Sequence, residues 1–275
     1  MPRLAVLGHP VAHSRSPAMQ NAALAALGLG EEWHYEAIDV APEGFEERVR
    51  AMAGEGFAGA NVTVPHKQAA LTLADEQSEV ARGIGAANTL SFAAGRIVAD
   101  NTDAGGLLAA LPGSPAGKRA LVLGAGGAAR AVVWALLRER AEVEVWNRTA
   151  ERAKRLCAEL GGTAVAGGAA AGPSGRPGVA DQGAYGLIVN TSAAGLAGED
   201  PFEHLPLAAD RFAPGQTVVD MVYGESPSPL LTAAEAAGAV GVDGLEILVQ
   251  QGALSLRIWT GREPPFDVMR AAARA

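Results

Sequence analysis

The run Arg119-Ala120-Leu121-Val122-Leu123-Gly124-Ala125-Gly126-Gly127-Ala128-Ala129 constrains this chain more than any other. A stretch with the composition of a buried strand stops at glycine and passes directly into an apolar helical pattern over residues 128–137. A second strand pattern, Ala141-Glu142-Val143-Glu144-Val145-Trp146, closes the unit within about thirty residues. Strand, turn, helix and strand in that order give the G-x-G-x-x-A spacing a physical meaning. Gly124, Gly126 and Gly127, followed by Ala128, let backbone N–H groups approach a pyrophosphate, and the helix N-terminus behind them favours an anion. The pattern predicts a Rossmann-type dinucleotide-binding domain.

The residues that close the second strand select the dinucleotide. A free ribose 2′-hydroxyl calls for a carboxylate there, whereas a 2′-phosphate is matched by a guanidinium and repelled by an acid. The chain offers Asn147-Arg148-Thr149, with Arg152 and Lys154 just beyond, and Glu144 lies inside the strand rather than at its end. NADP is therefore the expected cofactor. Further strand patterns at 186–190 and 216–223, a helix at 230–239 and the strand Val240-Gly241-Val242 continue a doubly wound sheet. Strand ends face the ligand crevice in such folds, which nominates Thr191, Met221 and Tyr223, with the exit turn at Gly244. The Gly/Ala/Pro tract from Gly167 to Gly183 reads as a surface loop.

The first half has its own rhythm. Leu4-Ala5-Val6-Leu7-Gly8, Glu36-Ala37-Ile38-Asp39-Val40 and the stretch around Val62 read as strands separated by helices, a mainly parallel α/β layer. Ser16-Pro17 reads as a helix start with a hydroxyl cap, and Ser14 beside it adds a second hydroxyl at an anion-favouring helix end. In Asn61-Val62-Thr63-Val64-Pro65-His66-Lys67, Val62 and Val64 alternate with polar residues as in a half-buried strand, and Pro65 opens a helix. Lys67 then stands in the first helical turn, where the helix dipole disfavours an ammonium, which suits an amine that must exchange a proton. Thr89-Leu90 and Arg96-Ile97-Val98-Ala99-Asp100 pair as a hairpin, and Asn101-Thr102-Asp103 caps the helix that follows. The Pro/Gly-rich break 111–117 marks the passage between domains. The helical pattern after Leu245, which includes Gln251, returns to the first domain to cover its core.

Composition narrows the partners. A net charge of −8 argues against nucleic acid and anionic membrane surfaces. No apolar run reaches membrane-spanning length. The single cysteine, Cys157, excludes an internal disulfide, and no Cys/His cluster has zinc spacing, so no metal is expected and a reducing cytoplasm is.

Taken together, the chain resembles the shikimate dehydrogenase family over nearly its whole length. The resemblance rests on Ser14-Arg15-Ser16-Pro17, Asn61 to Lys67, Gly85-Ala86-Ala87-Asn88-Thr89, Asn101-Thr102-Asp103, Gly124 to Ala129, Asn147-Arg148-Thr149, and Gln251-Gly252-Ala253 with Trp259-Thr260-Gly261. It implies a two-domain α/β fold, with a substrate domain at 1–102 plus 244–275 and an NADP-binding Rossmann domain at 103–243. It implies NADPH-dependent reduction of 3-dehydroshikimate to shikimate, with Lys67 and Asp103 as the catalytic pair. Ser14 and Ser16 would hold the substrate carboxylate, and Thr63, Asn88, Asp103 and Gln251 its ring hydroxyls, with Asn61 and Tyr223 close by. The chain departs from many relatives at Gln20, where His is common, and at Leu256, where Phe is usual. A dual quinate/shikimate dehydrogenase and an idle NADP-binding sensor are the alternatives, and monomer and homodimer stay open.

Overall fold

A computed structural model describes residues 2–165, 179, 181–224 and 228–275 and contains two six-stranded sheets. Each sheet belongs to one compact unit, Met1–Ala109 with Leu248–Ala275 in one case and Ala110–Ile247 in the other.

The first unit begins β1 (Arg3–Gly8), α1 (Ser16–Ala26), β2 (His34–Asp39), α2 (Phe45–Gly54), β3 (Phe57–Val62) and α3 (Lys67–Leu73). It continues with β4 (Glu76–Gln77), α4 (Glu79–Ile84), the hairpin β5 (Thr89–Ala93) and β6 (Arg96–Asp100), and α5 (Asp103–Ala110). The strand order is β2-β1-β3-β5-β6-β4. β1 lies parallel to both β2 and β3, and β5 antiparallel to β3 and β6. Leu4, Ala5, Val6 and Leu7 are all buried, as a strand covered on both faces requires. Ala94 and Gly95 both take left-handed φ values, 51° and 74°, the conformation that lets a two-residue turn follow the strand twist.

Two local expectations are corrected. β3 stops at Val62, so Val64 is 63 % exposed rather than part of an alternating strand. Pro65 does not open the helix: the His66 N–H bonds the Thr63 carbonyl at 2.9 Å, a tight turn occupies 63–66, and α3 starts only at Lys67. Lys67 is still in the first turn.

The second unit runs β7 (Arg119–Leu123), α6 (Gly127–Arg138), β8 (Glu142–Trp146), α7 (Ala150–Leu160), β9 (Thr163–Ala164), β10 (Leu187–Asn190), β11 (Thr217–Asp220), α8 (Pro229–Ala236) and β12 (Val240–Asp243). The order β12-β11-β10-β7-β8-β9 is parallel throughout, with its reversal between β7 and β10. That is a doubly wound dinucleotide fold, and the reversal is where such folds bind ligands. β11 is shorter than the sequence suggests. The Asp220 carboxylate accepts the Val222 N–H at 3.1 Å and turns the backbone out of the ladder. In the glycine-rich tract, residues 166–178 and 180 lie outside the described ones. Val179 and Gln182 at its end are buried, so that end is packed rather than surface loop.

The chain closes with α9 (Gly244–Thr260) and α10 (Phe266–Arg274). From Leu248 onward α9 counts with the first unit. The Trp259 indole N–H bonds the Leu90 carbonyl at 3.0 Å, which fastens it to that sheet. Among the described residues no helix is long and apolar enough to cross a membrane.

Candidate active site

Lys67 and Asp103 come from the first turns of α3 and α5 and meet directly. Lys67 Nζ lies 2.6 Å from Asp103 Oδ2, with only 10 % and 6 % of the two side chains exposed. A charged pair this dry is costly to break from either side. Within the expected capping run Asn101-Thr102-Asp103, Asn101 Oδ1 accepts the Asp103 N–H at 3.0 Å, which leaves the Asp103 oxygens to other partners.

The second Asp103 oxygen, Oδ1, accepts from Asn88 Nδ2 at 2.8 Å. The Asn88 amide has no freedom to flip. Its Oδ1 accepts the Thr102 backbone N–H at 2.7 Å, and a backbone N–H can only donate. The oxygen is thereby fixed toward Thr102 and the amino group toward Asp103. That amino group also reaches Thr102 Oγ1 at 2.9 Å and Gln251 Oε1 at 3.1 Å.

Behind Asn88 lies a cluster of hydroxyls that sequence reasoning did not single out. Ser255 Oγ stands 2.9 Å from Thr89 Oγ1 and 3.1 Å from Thr102 Oγ1. Ser255 follows Gln251 by one helical turn on α9, and that spacing was the available signal. Asn61 belongs to this cluster as well. Its Nδ2 donates to Ser255 Oγ at 2.9 Å, and its Oδ1 accepts from the Tyr35 hydroxyl at 2.8 Å. Gln251 is 8 % exposed, not a solvated helix residue.

Ser14 lies in the loop between β1 and α1, and Ser16 follows where the helix begins. Ser16 is the first residue of α1 rather than its cap, and no side chain caps the helix. Arg15 holds the cap position with helical angles, which leaves the Ser16 hydroxyl out of the capping role. Ser14 Oγ accepts the Ser16 N–H at 3.3 Å. Thr63 is fixed by its backbone, whose N–H bonds the Leu7 carbonyl at 2.8 Å. His66, stacked on Phe45 with centroids 4.3 Å apart, bonds the Val40 carbonyl at 2.7 Å through Nε2. Burial holds its imidazole below the ordinary value of 6.5, against the opposing pull of that carbonyl.

In the second unit the candidate residues are chiefly backbone. Gly124 has φ 121°, and a Cβ there would lie 2.5 Å from Thr191 Oγ1. Thr191 is held in turn by hydroxyl and N–H bonds to the Leu123 carbonyl, at 2.8 and 2.9 Å. Gly126 precedes α6 with no side-chain cap, and a Cβ on it would meet nothing within 4 Å. The N–H groups of Gly127 and Ala128 belong to a first helical turn, which has no intrahelical partners for them, and with no side-chain cap they suit a pyrophosphate. At the end of β8, Asn147 Nδ2 bonds the Thr149 carbonyl at 2.9 Å, while Arg148, Thr149 and Arg152 are exposed. Glu144 is held by Arg119 at 2.9 Å and the Tyr185 hydroxyl at 2.5 Å, so its carboxylate is already engaged. A Cβ on Gly244 would strike the Met221 carbonyl at 2.6 Å, which explains glycine at the start of α9. Met221 is fixed by its N–H to the Asn190 carbonyl at 3.0 Å, and Tyr223 is half-buried beyond it.

Residues 6–90 match the pattern of the shikimate dehydrogenase substrate binding domain, residues 108–167 that of shikimate / quinate 5-dehydrogenase, and residues 244–274 the shikimate 5′-dehydrogenase C-terminal domain. A shikimate dehydrogenase (NADP(+)) of Methanopyrus kandleri is 43 % identical over 97 % of this chain and 93 % of its own length. One from Anaeromyxobacter dehalogenans is 44 % identical over 98 % and 95 %. The crystal structure of shikimate 5-dehydrogenase from Thermus thermophilus, in complex with NADP(H) and shikimate, superposes with a TM-score of 0.84. It shares 42 % identity and the match covers 100 % of this chain and 99 % of that one.

Proposed function

This chain belongs to the shikimate dehydrogenase family, and on that premise we propose that Lys67 and Asp103 are its catalytic pair. The activity is the reversible, NADPH-dependent reduction of 3-dehydroshikimate to shikimate, an oxidoreductase step of the shikimate pathway toward aromatic amino acids.

The observation that carries the assignment is the 2.6 Å contact between Lys67 and Asp103, with Asn88 locked behind it. NADPH supplies a hydride to the carbonyl carbon, so negative charge develops on the carbonyl oxygen. Lys67, as the ammonium, stabilises that charge and donates a proton to the oxygen; in the reverse direction the neutral amine accepts one. Asp103 holds the amine in place, and Asn88 holds Asp103. Ser14, Ser16 and the first turn of α1 take the substrate carboxylate. Thr63, Asn88 and Gln251 meet its hydroxyls. Asn61, with its amide occupied inside the fold, supports Asn88 from behind.

For the cofactor, Gly126, Gly127 and Ala128 cradle the pyrophosphate with backbone N–H groups, while Gly124, whose own N–H bonds the Trp146 carbonyl at 2.8 Å, makes the turn that lets it approach. Arg148 and Arg152 take the 2′-phosphate, with Asn147 and Thr149 fixing the turn that presents them. Neither guanidinium is ion-paired among the described residues, and the engaged Glu144 favours NADP over NAD. Thr191, Met221 and Gly244 line the strand ends at the switch point. The single cysteine supports a reducing, cytoplasmic setting.

Mixing the protein with NADPH and 3-dehydroshikimate should abolish the reduced-nicotinamide absorbance, and quinate with NAD should give a far slower reaction. NADPH binding without oxidation points instead to a sensor, and comparable rates with quinate and NAD to a dual enzyme.

A further inference from the structure

One side-chain contact in the first unit has no part in the catalytic pair or its hydroxyl cluster. Asp39, the last residue of β2, reaches across the end of β1 to the loop that carries the serines. Its Oδ1 lies 2.7 Å from His9 Nδ1, and its Oδ2 accepts the Val11 N–H at 3.2 Å. A carboxylate cannot donate, so Nδ1 of His9 carries the proton in this bond. From Val11 the connections continue along the loop. The Val11 carbonyl accepts the Ser14 N–H at 3.0 Å, and Ser14 Oγ accepts the Ser16 N–H at 3.3 Å. The loop enters this arrangement from Gly8, where a Cβ would collide with the Thr63 methyl and come within 3.3 Å of Val11. The backbone on either side is pinned by Val40 N–H to the Gly8 carbonyl and His9 N–H to the Val64 carbonyl, both 3.0 Å.

We propose that Asp39, assisted by His9, is a positioning residue that sets the angle at which Ser14 and Ser16 meet the carboxylate of a small substrate. The inference rests on the reading that those two serines bind that carboxylate. Asp39 is the one side chain from outside the loop that bonds it among the described residues, and it holds the loop at Val11, three residues before Ser14. The His9 hydrogen bond holds the Asp39 carboxyl below its ordinary range. Both side chains are about half exposed, at 49 % and 50 %, and a pair that wet adds little to global stability. Its influence falls on the loop, and hence on substrate binding.

Kinetics of Asp39→Ala, Ser16→Ala and the double variant test this. Asp39→Ala should raise KM for shikimate about five- to tenfold, the size of one or two lost hydrogen bonds, with kcat and KM for NADP unchanged. Because Asp39 acts through the serines, the loss in the double variant should be smaller than the two single losses combined. Asp39→Asn should restore most of the affinity, since its oxygen still accepts from Val11 while its amino group donates to the other neutral tautomer of His9. His9→Ala should move KM in the same direction by less, and its half-exposed ring makes a folding defect no obstacle. If Ser16→Ala raises KM while Asp39→Ala and His9→Ala leave it unmoved, or if the two effects simply add, the positioning role is wrong. If Ser16→Ala itself leaves KM unchanged, the assignment of the serines fails instead.

Discussion

The two units solve opposite problems with opposite materials. The first builds its site from side chains: Lys67, Asp103, Asn88, Thr102, Ser255 and Asn61 are all buried and each is bonded to another. The second builds its cradle by leaving side chains out, with Gly124 at a left-handed φ in the turn and Gly126 before an uncapped helix end. A site that moves a proton needs particular groups held in particular protonation states, which side chains supply. A site that grips a pyrophosphate needs donors at close range, and any Cβ is in the way. Substitutions should therefore separate cleanly, in the first unit by loss of turnover and in the second by loss of cofactor affinity.

The largest effect is expected at Asp103. Asp103→Asn keeps the shape but removes the counter-charge and sets an amino group against the donor of Asn88 or Lys67, and kcat should fall about a hundredfold or more while NADPH affinity, measured by fluorescence titration, stays put. Next in size is Gly124→Val. A side chain at φ 121° pressed against Thr191 should weaken NADPH binding by tenfold or more, on the order of 1.4 kcal/mol, and leave shikimate binding intact. If Gly124→Val lowers kcat with normal cofactor affinity, the division between the units is wrong. A smaller effect is expected from Arg148→Asp. Loss of the guanidinium and gain of an acid should raise KM for NADPH about tenfold and improve use of NADH, read as the ratio of the two kcat/KM values.

The smallest effects are those of pH on stability, and they should carry opposite signs. His66 in the first unit has a folded-state pKa below its unfolded value of 6.5, so its stabilising contribution is present above 6.5 and is lost as pH falls below it. Asp220 in the second is buried beside Asn190 and Ser228, and burial raises its pKa above the ordinary 3.8 in spite of those bonds. Its native state therefore holds the proton longer than the unfolded chain, and stability from this group declines as pH rises from 3.8 through the raised value. Hydrogen exchange from pH 4 to 7 should show His66→Gln flattening the acid loss in the first unit and Asp220→Asn flattening the opposite slope in the second. Identical slopes in the variants and the parent chain would remove both groups from the account.

The same contrast governs what could be read from residues alone. The second unit's site is local, because glycine turn, helix and second strand lie within about thirty residues and their spacing carries the geometry. Five of its six parallel strands follow from the same alternation, while the two-residue edge strand β9 (Thr163–Ala164) is too short to show a period. The first unit's site is assembled from distant segments. Lys67 and Asp103 are 36 residues apart and Thr89 and Ser255 are 166 apart, so no periodicity could place them together. Family resemblance implied a pairing of Lys67 with Asp103, but not the hydroxyl cluster beside Asn88. The Ser16 capping expectation failed for a related reason. Capping preferences describe what an isolated helix end prefers, whereas at α1 Arg15 takes the cap position and Ser16 becomes the first helical residue. At α5 Asn101, within the expected capping run, accepts the Asp103 N–H and leaves the Asp103 oxygens to Asn88 and Lys67. Asp39 and His9 look ordinary in sequence, and only the parallel register of β2 against β1 sets one beside the other.

The most direct test of the central claim measures turnover and binding on one preparation of Lys67→Met, whose side chain fills much the same space without the amine. Turnover should drop by two orders of magnitude or more, about the contribution of a positioned acid–base group. Dissociation constants for shikimate and NADPH, measured by calorimetry, should stay within about threefold of the parent chain, under 1 kcal/mol. Near-normal kcat, or a loss of activity explained wholly by weaker binding of either ligand, would contradict the assignment of Lys67 as the group that moves the proton.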